Sequence, residues 1–323
     1  MSQYLLRRIL VSLLVLFTVS AGSFVLMHLA PGDPVYVYVN PEKRNMSPES
    51  LDALRHQLGL DRPILVQYLF WLRNTLEGNW GYSVKSRAPV LREIASRLPN
   101  TLLLSFASLI LAVVVAIPIG TLSAVKQYSI VDYLSTIGAF VGISVPSFWF
   151  ALILIWLLSV KLGWLPSTGM RTLTVELTGG AAMLDVIRHL VLPVVVLSLA
   201  QMSEWTRYVR TALLEVLGQD YIRTARAKGV PESMVTVKHA LRNALIPVIT
   251  IAGLSLPALV NGAYVVETIF GWPGMGRLGV NAIMARDYPV IMGVTMMSCV
   301  VVIAGNLLAD LAYVVADPRI HYA

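Results

Sequence analysis

Residues Gln219–Pro247 read QDYIRTARAKGVPESMVTVKHALRNALIP, a basic stretch between two apolar runs. Asp220 is suited to cap a short helix, because a carboxylate accepts hydrogen bonds from the exposed N–H groups of a first turn. Gly229 is suited to end that helix, and Pro231 to open the next one. The stretch therefore predicts a short helix, a sharp turn and a second helix that leads into the following apolar run.

The short helix carries one narrow face of small or apolar side chains. Tyr221, Ala225 and Gly229 are spaced four residues apart, and Ile222 lies three residues before Ala225. The basic residues that project elsewhere are Arg223, Arg226 and Lys228. A loop that contacts anionic lipid is one interpretation, but a lipid-facing helix usually carries large apolar residues. A face of Tyr, Ala and Gly favours close approach to another protein.

The composition places this stretch in a membrane protein. Of the 323 residues, 56% are hydrophobic and 13% are charged, whereas soluble domains have about 25% charged residues. Too few charged groups remain to cover the surface of a soluble enzyme, and a disordered or fibrous chain is also excluded. The single cysteine, Cys299, excludes an internal disulfide framework and a cysteine-based metal cluster. We therefore predict an all-α polytopic membrane protein.

Six stretches are apolar enough to span a bilayer, which takes about 20 residues. They are Ile9–Ala30, Asn100–Val125, Tyr133–Val160, Leu190–Leu214, Asn243–Val266 and Tyr288–Ala309. Arg7 and Arg8 before the first stretch are also typical of a signal peptide. That run is too long for the apolar region of a signal peptide, which favours a first spanning helix.

Basic residues in the short connections predict the orientation. Eleven lie on the side that holds the Arg207–Arg242 segment, and five lie on the other side. The richer side is expected to be cytoplasmic, which places both termini inside and residues 31–99 outside. Two helices are predicted in this outer segment, one with Pro48 at its first position after Ser47 and one over Pro63–Leu76. Residues 161–189 are predicted to form an outer loop.

Some polar or small residues lie deep within the predicted spans. The candidates for lining a translocation path are Ser144, Pro146, Ser147 and Asn261. A membrane proline frees a backbone carbonyl and permits a kink, although an ordinary tolerated proline is the alternative. Glu204 is expected to pair with Arg207, and Glu267 to be hydrated at the end of an apolar run.

The sequence shows no site for catalysis, metal binding or a cofactor. It contains no GxxxxGK[ST] phosphate loop, so the chain is not expected to hydrolyse ATP. The histidines lie at 28, 56, 189, 239 and 321, without the spacing of metal ligands. We therefore predict neither an enzyme nor a metalloprotein.

Seven segments spread along the chain carry a resemblance to a known family: His28–Pro34, Arg97–Thr101, Tyr221–Gly229, His239–Ala244, Gly271–Arg277, Arg286–Pro289 and Asp317–Ile320. Through them, nearly the whole chain resembles the dipeptide and oligopeptide subfamily of ATP-binding-cassette (ABC) importer permeases. Several long matches in the right order are highly specific. Arg223–Ala225 replaces the Glu-Ala-Ala of the general importer motif, and Leu241–Arg242 replaces its Leu-Pro. These departures resemble the peptide subfamily, and they mean that a role of the motif's acidic residue does not carry over.

The resemblance implies the type I ABC importer permease fold, with a core over residues 97–314. Its helices would cover 100–125, 133–160, 190–214, 243–266 and 288–314, after a cytoplasmic end and first helix over 1–30 and an extracytoplasmic segment over 31–99. Residues 218–242 would form the cytoplasmic coupling loop, and 315–323 a cytoplasmic C-terminus. The implied docking residues are Tyr221, Ala225 and Gly229, with Arg223, Arg226 and Lys228 as charged contacts.

The resemblance also implies a complex in the inner membrane of a prokaryote. Its other members would be a second homologous permease, two cytoplasmic ATPase subunits that bind ATP and Mg, and an extracytoplasmic substrate-binding protein, with no nucleic acid. Dipeptides or oligopeptides are the implied substrates, and nickel or glutathione the alternatives. An ion-coupled secondary transporter would predict paired mid-membrane charges, which the spans lack, and an intramembrane enzyme would need a catalytic constellation.

Overall fold

The computed structural model describes residues 2–29, 35, 48–174, 176–245, 248 and 263–316. In chain order the helices are α1 (Ser2–Leu29), α2 (Pro48–Leu58), α3 (Ile64–Leu76), α4 (Val90–Val125), α5 (Ile130–Ser144), α6 (Ser147–Leu154, continued by a π-helical turn over Ile155–Lys161), α7 (Gly179–Leu217), α8 (Asp220–Ala227), α9 (Glu232–Met234, continued by a π-helical stretch over Val235–Leu241), α10 (Met275–Ala285) and α11 (Tyr288–Ala316). Residues 263–269 are also helical. Among the residues just given, β pairing is limited to an isolated bridge between Tyr82 and Pro89. The predicted all-α class is confirmed.

Long apolar helices account for most of the predicted spans. Leu6–Leu29 of α1, the whole of α4 and α7, and Tyr288–Leu307 of α11 are each long and apolar enough to cross a bilayer. α5 and α6 meet the same requirement only as a pair. The predicted span Asn243–Val266 lies mostly outside the described residues.

The span predicted over Tyr133–Val160 is broken into two helices, α5 and α6. α5 and α6 meet at 103°. Val145 is extended at φ −78° and ψ 122°, and Pro146 follows at φ −60° and ψ 128°. The helix breaks here because a residue before proline disfavours the helical conformation and proline has no N–H to donate.

The outer loop predicted over residues 161–189 is shorter than expected, because α7 begins at Gly179. The remaining loop is fastened to the first turns of α7 by Asp185. Its carboxylate accepts hydrogen bonds of 2.7 Å from both the backbone N–H and the hydroxyl of Thr172. The helix therefore extends at its N-terminus beyond its apolar part.

The chain divides into two compact units, the first made of residues 1–99 and 278–303. In this unit α1 packs on α3 through Phe24 and Tyr68, together with Met292 of α11. The hydroxyls of Ser20 and Tyr68 are 2.8 Å apart. α2 and α3 match the two outer helices predicted from the sequence.

The second unit comprises residues 100–277 and 304–323. Its described helices α4, α5 and α7 approach closely where glycine removes a side chain. A Cβ at Gly120 would lie 2.7 Å from the Cβ of Val209, and one at Gly142 would overlap Ser203. Because α7 runs from this packed region into α8, the unit positions the basic segment quoted at the outset.

Candidate coupling site

The helix α8 has the ends that the sequence predicts, with one correction. Gln219 occupies the N-cap position without a side-chain hydrogen bond, so the prediction that Asp220 caps the helix is wrong. Asp220 is the first helical residue, and its carboxylate lies 3.3 Å from Arg223 Nη1. At the other end Gly229 adopts φ +76°, and the N–H of Val230 donates to the carbonyl of Ala225 at 3.3 Å. This left-handed glycine stops the helix because other residues adopt its conformation only with strain.

The residues of the predicted small face are divided between the buried side and the exposed side of α8. Ile222 is fully buried, in one cluster with Leu213 of α7 and Val235, and Ala225 packs half-buried against that cluster. Tyr221 and Gly229 are exposed instead. The helix therefore attaches to its own chain through Ile222 and Ala225.

The exposed side of α8 is strongly basic. Five of the six residues predicted to dock are exposed, namely Tyr221, Arg223, Arg226, Lys228 and Gly229. The exposed side chains of Thr224 and Ala227 lie among them. The surface that α8 offers to a partner thus combines positive charge, small side chains and one aromatic ring.

Two polar contacts brace this surface. The amide Nδ2 of Asn243 donates to the Tyr221 hydroxyl at 3.0 Å. Arg226 donates to Glu232 across the turn, with Nη2 at 2.5 Å from Oε1 and Nε at 3.1 Å from Oε2. The guanidinium lowers the pKa of the Glu232 carboxyl, and the carboxylate raises the pKa of Arg226.

Sequence reasoning missed both bracing partners. Glu232 lies six residues after Arg226, on the far side of the Gly229–Pro231 turn. Opposite charges that flank a predicted tight turn are the signal that identifies such a pair. Asn243 carries no comparable signal, because its contact with Tyr221 depends on how α9 folds back on α8.

The site is carried by α7, and Arg207 of this helix has a different partner from the one predicted. Arg207 stacks over the ring of Phe140, with its guanidinium carbon 5.0 Å from the ring centre. Glu204 is exposed, and the described ion pairs do not include the pair predicted between it and Arg207. An aromatic ring on α5 replaces the expected carboxylate because α5 and α7 are in close contact.

Glu267 is not hydrated as predicted, since it is fully buried. Its carboxylate accepts hydrogen bonds from the Thr101 hydroxyl at 2.6 Å and from the backbone N–H of Arg277 at 3.0 Å. A Cβ at Gly274 would overlap this carboxylate, and one at Gly276 would lie 3.0 Å from its Oε2. The glycines thus make room for a buried acid at the start of α10.

Further hydrogen bonds beside Glu267 join two of the sequence motifs. Asn100 Nδ2 donates to the carbonyl of Pro273 at 2.8 Å, and the Trp272 indole donates to the carbonyl of Asn100 at 3.0 Å. The hydroxyl of Thr101 also accepts from the N–H of Met275 at 2.8 Å. Asn100 and Thr101 of the first motif are therefore hydrogen-bonded to Trp272, Pro273 and Met275 of the second.

The predicted path residues lie at the break between α5 and α6. Ser144, Pro146 and Ser147 are exposed there. Ser144 and Pro146 line an open groove of about 550 Å³ with Phe140, Val141, Val145, Phe148 and Trp149. Asn261 lies outside the described residues. In the part of the chain that is described, no three His, Cys, Asp or Glu side chains are placed to hold a metal ion.

Long apolar helices, a broken helix pair and a braced basic helix between two helical segments define a polytopic helical membrane protein. The chain belongs to the family described as the binding-protein-dependent transport system inner membrane component, which matches residues 116–322. Residues 1–105 match the N-terminal family of the same membrane components. Together the two matches cover most of the chain.

Relatives extend over the full length of the chain. The oligopeptide transport system permease protein AppB of Bacillus subtilis is 49% identical over 323 residues, 100% of both chains. The dipeptide transport system permease protein DppB of Escherichia coli K12 is 39% identical, covering 100% of this chain and 99% of the relative. The glutathione transport system permease protein GsiC of Escherichia coli is also 39% identical, with 100% of each chain covered.

A solved structure shares the fold. A chain of the MetNI methionine ABC transporter in an inward-facing conformation superposes with a TM-score of 0.56. The match covers 70% of this chain and 96% of that chain at 21% identity. The type I importer permease fold predicted from the sequence is therefore confirmed, at the level of overall architecture.

Proposed function

We propose that this chain is the membrane-spanning permease subunit of an ATP-driven importer of dipeptides or oligopeptides. The observation that carries the proposal is the 49% identity, over the full length, to an oligopeptide permease protein. The braced basic helix α8 supports it, because an importer whose membrane subunit lacks an ATP site needs a rigid attachment for a separate ATPase. Hydrolysis of ATP, with Mg, is the task of two cytoplasmic ATPase subunits.

In this proposal α8 is the coupling helix. Tyr221, Arg223, Arg226, Lys228 and Gly229 form the docking surface, and Ala225 supports it from behind. Because Ile222 anchors α8 to the end of α7, a displacement of the ATPase reaches the membrane helices without a flexible joint. The contacts of Tyr221 with Asn243 and of Arg226 with Glu232 keep the surface rigid.

The remaining parts of the complex follow from the proposed role. A second, homologous permease pairs with this chain in the inner membrane, and an extracytoplasmic binding protein delivers the substrate. The basic segment and both termini face the cytoplasm, and residues 31–99 face outward. Ser144, Pro146, Ser147 and Asn261 line the path, where the break between α5 and α6 supplies a largely apolar groove that includes Ser144 and Pro146.

Glutathione, itself a tripeptide, is the second candidate substrate, because GsiC is as similar to this chain as DppB is. One experiment on the full complex distinguishes peptides from glutathione as the substrate. The complex is reconstituted in proteoliposomes, and ATP-dependent uptake is measured for a labelled dipeptide, a labelled oligopeptide, glutathione and nickel. We expect the peptides to be taken up. Uptake of glutathione alone or nickel alone would overturn the peptide assignment.

A further inference from the structure

An ion pair between a buried carboxylate and a partly buried arginine joins α5 and α7 in the second unit. Asp132, in the first turn of α5, is 4% exposed. Arg210 of α7 binds it with two nitrogens, Nε at 2.6 Å from Oδ1 and Nη2 at 2.8 Å from Oδ2. A bidentate pair of this kind fixes the relative orientation of its partners as well as their distance.

The same carboxylate also holds the connection between α4 and α5. The hydroxyl of Ser123, near the end of α4, donates to Oδ1 of Asp132 at 2.5 Å. The backbone N–H of Tyr128, in the connecting turn, donates to Oδ2 at 3.0 Å. One carboxylate thus accepts from four donors that lie on α4, on the turn and on α7.

The turn is held in a strained conformation. Tyr128 has φ +62°, a left-handed conformation that is uncommon for a residue with a side chain. Strain of this kind persists only where the surrounding structure fixes it. The hydrogen bond from Tyr128 to Asp132 is such a restraint, so the turn is a rigid connection.

The ion pair lies beside the attachment of the coupling helix. Leu213, three residues after Arg210, is fully buried in the cluster that contains Ile222 of α8. Ala124, the residue after Ser123, belongs to the same cluster. The contacts therefore run without interruption from α8 through the end of α7 to α5.

The geometry of this pair fits a role in positioning α5 against α7 better than a role in stabilising the fold. A buried ion pair contributes little net stability compared with apolar residues that pack equally well. Its bidentate geometry does, however, hold α5 and α7 in one relative placement. Since α5 leads directly into the break at Val145 and Pro146, any rotation of α5 reaches that break.

We propose that Asp132 and Arg210 form a positioning pair that makes α5 and α7 move as one body when α8 is displaced. The inference rests on the proposed coupling function and names residues that carry the motion beyond the docking surface. Without the pair, α7 still follows α8, but α5 no longer follows α7. ATP hydrolysis then continues while fewer peptides are moved for each ATP.

The test compares peptide uptake with ATP hydrolysis in the reconstituted complex. The double variant Asp132→Leu with Arg210→Met removes both charges and keeps apolar packing. We expect it to assemble and to hydrolyse ATP within about twofold of the wild-type rate, while uptake per ATP falls about tenfold. Arg210→Lys keeps the charge but loses the bidentate geometry, and we expect a smaller fall in the same ratio.

Asp185→Asn is the matched control, because Asp185 also accepts two hydrogen bonds but lies at the opposite end of α7. Its uptake per ATP is expected to equal that of the wild type. If the double variant is not recovered from membranes, Ser123→Ala replaces it, with an expected fall of about threefold from the loss of one hydrogen bond.

A wild-type ratio of uptake to hydrolysis in the double variant, or in Ser123→Ala where that variant is used, would overturn the positioning role. This result leaves the wild-type complex dependent on ATP. Failure of the proposed function has a different signature, because the wild-type complex itself would then take up peptides without ATP or not at all.

Discussion

Ile222 of the coupling helix α8 and Leu213 of α7 are both fully buried in one apolar cluster. The cluster joins an eight-residue helix, which is too short to be stable alone, to the end of a helix of 39 residues. Because the joint is apolar and close-packed, α8 and the end of α7 form a single rigid element. The basic surface of α8 is therefore fixed relative to the membrane helix that carries it.

The first prediction concerns this joint. Ile222→Ala removes a fully buried side chain and leaves a cavity, so we expect the free energy of unfolding to fall by about 2–4 kcal/mol. Thermal unfolding of the purified complex measures the change. Val237→Ala is the control, because Val237 is exposed, and it is expected to have little effect. Equal stability of the two variants would contradict the proposed attachment of α8.

The second prediction concerns the end of α8. Gly229 has φ +76° and open space around its Cα, so Gly229→Ala adds backbone strain without a clash. We expect a local cost of about 1–2 kcal/mol and faster hydrogen exchange over residues 220–230. Gly180→Ala also enters open space, but Gly180 has an ordinary helical conformation, and exchange there is expected to stay slow or become slower. Unchanged exchange in Gly229→Ala would show that the left-handed glycine does not define the helix end.

The third prediction is the pH dependence of the turn after α8. Because Arg226 lowers the pKa of Glu232, the carboxylate stabilises the folded turn at every pH above the usual range of a glutamate. This contribution is lost as the pH falls through the lowered pKa, since protonated Glu232 no longer pairs with Arg226.

The protection of residues 226–232 from hydrogen exchange, relative to the intrinsic rate of a free amide at each pH, follows this loss between neutral and acidic pH. Glu232→Gln is expected to remove the pH dependence, whereas Glu215→Gln, at an exposed position on α7, is expected to keep it. A pH dependence that survives in Glu232→Gln would assign the effect to another group.

The fourth prediction concerns the buried acid Glu267. In Glu267→Gln one carboxylate oxygen becomes an N–H₂ group, so the side chain can accept from the Thr101 hydroxyl or from the N–H of Arg277, but not from both. We expect a loss of about 1–3 kcal/mol in the free energy of unfolding, the cost of an unsatisfied buried donor. Glu77→Gln, at an exposed site, is the control in the same thermal unfolding measurement. An unchanged melting temperature for Glu267→Gln would argue against this hydrogen-bonded role.

Local features of this protein could be predicted from its sequence. Gly229 and Pro231 mark the turn after α8, and the apolar runs mark the long helices, because these signals depend on neighbours in the chain. The bend at Pro146 has a local cause too, but its angle depends on how α5 packs against α7. A proline permits such a break without dictating it.

Contacts between distant segments could not be predicted in the same way. Arg210 lies 78 residues from Asp132, and nothing near either residue indicates the other. Helical periodicity does not distinguish a face that packs on its own chain from one that binds a partner. The sequence therefore could not predict that Ile222 and Ala225 pack inward while Tyr221 and Gly229 are exposed. The position of Glu267 at the end of an apolar run predicts a hydrated carboxylate. Nothing nearby in the sequence indicates that Gly274 and Gly276 leave room to bury it.

The initial rate of labelled-peptide uptake by the reconstituted complex, with ATP and with a non-hydrolysable analogue, tests the central claim most directly. The proposed coupling through α8 predicts uptake with ATP and no uptake with the analogue. It also predicts that uptake with ATP is lost when Arg223 and Lys228 on the exposed face of α8 are both replaced by glutamate. Uptake that proceeds equally with the analogue, or that is unaffected by reversing these two charges, would contradict an ATP-driven permease coupled through this helix.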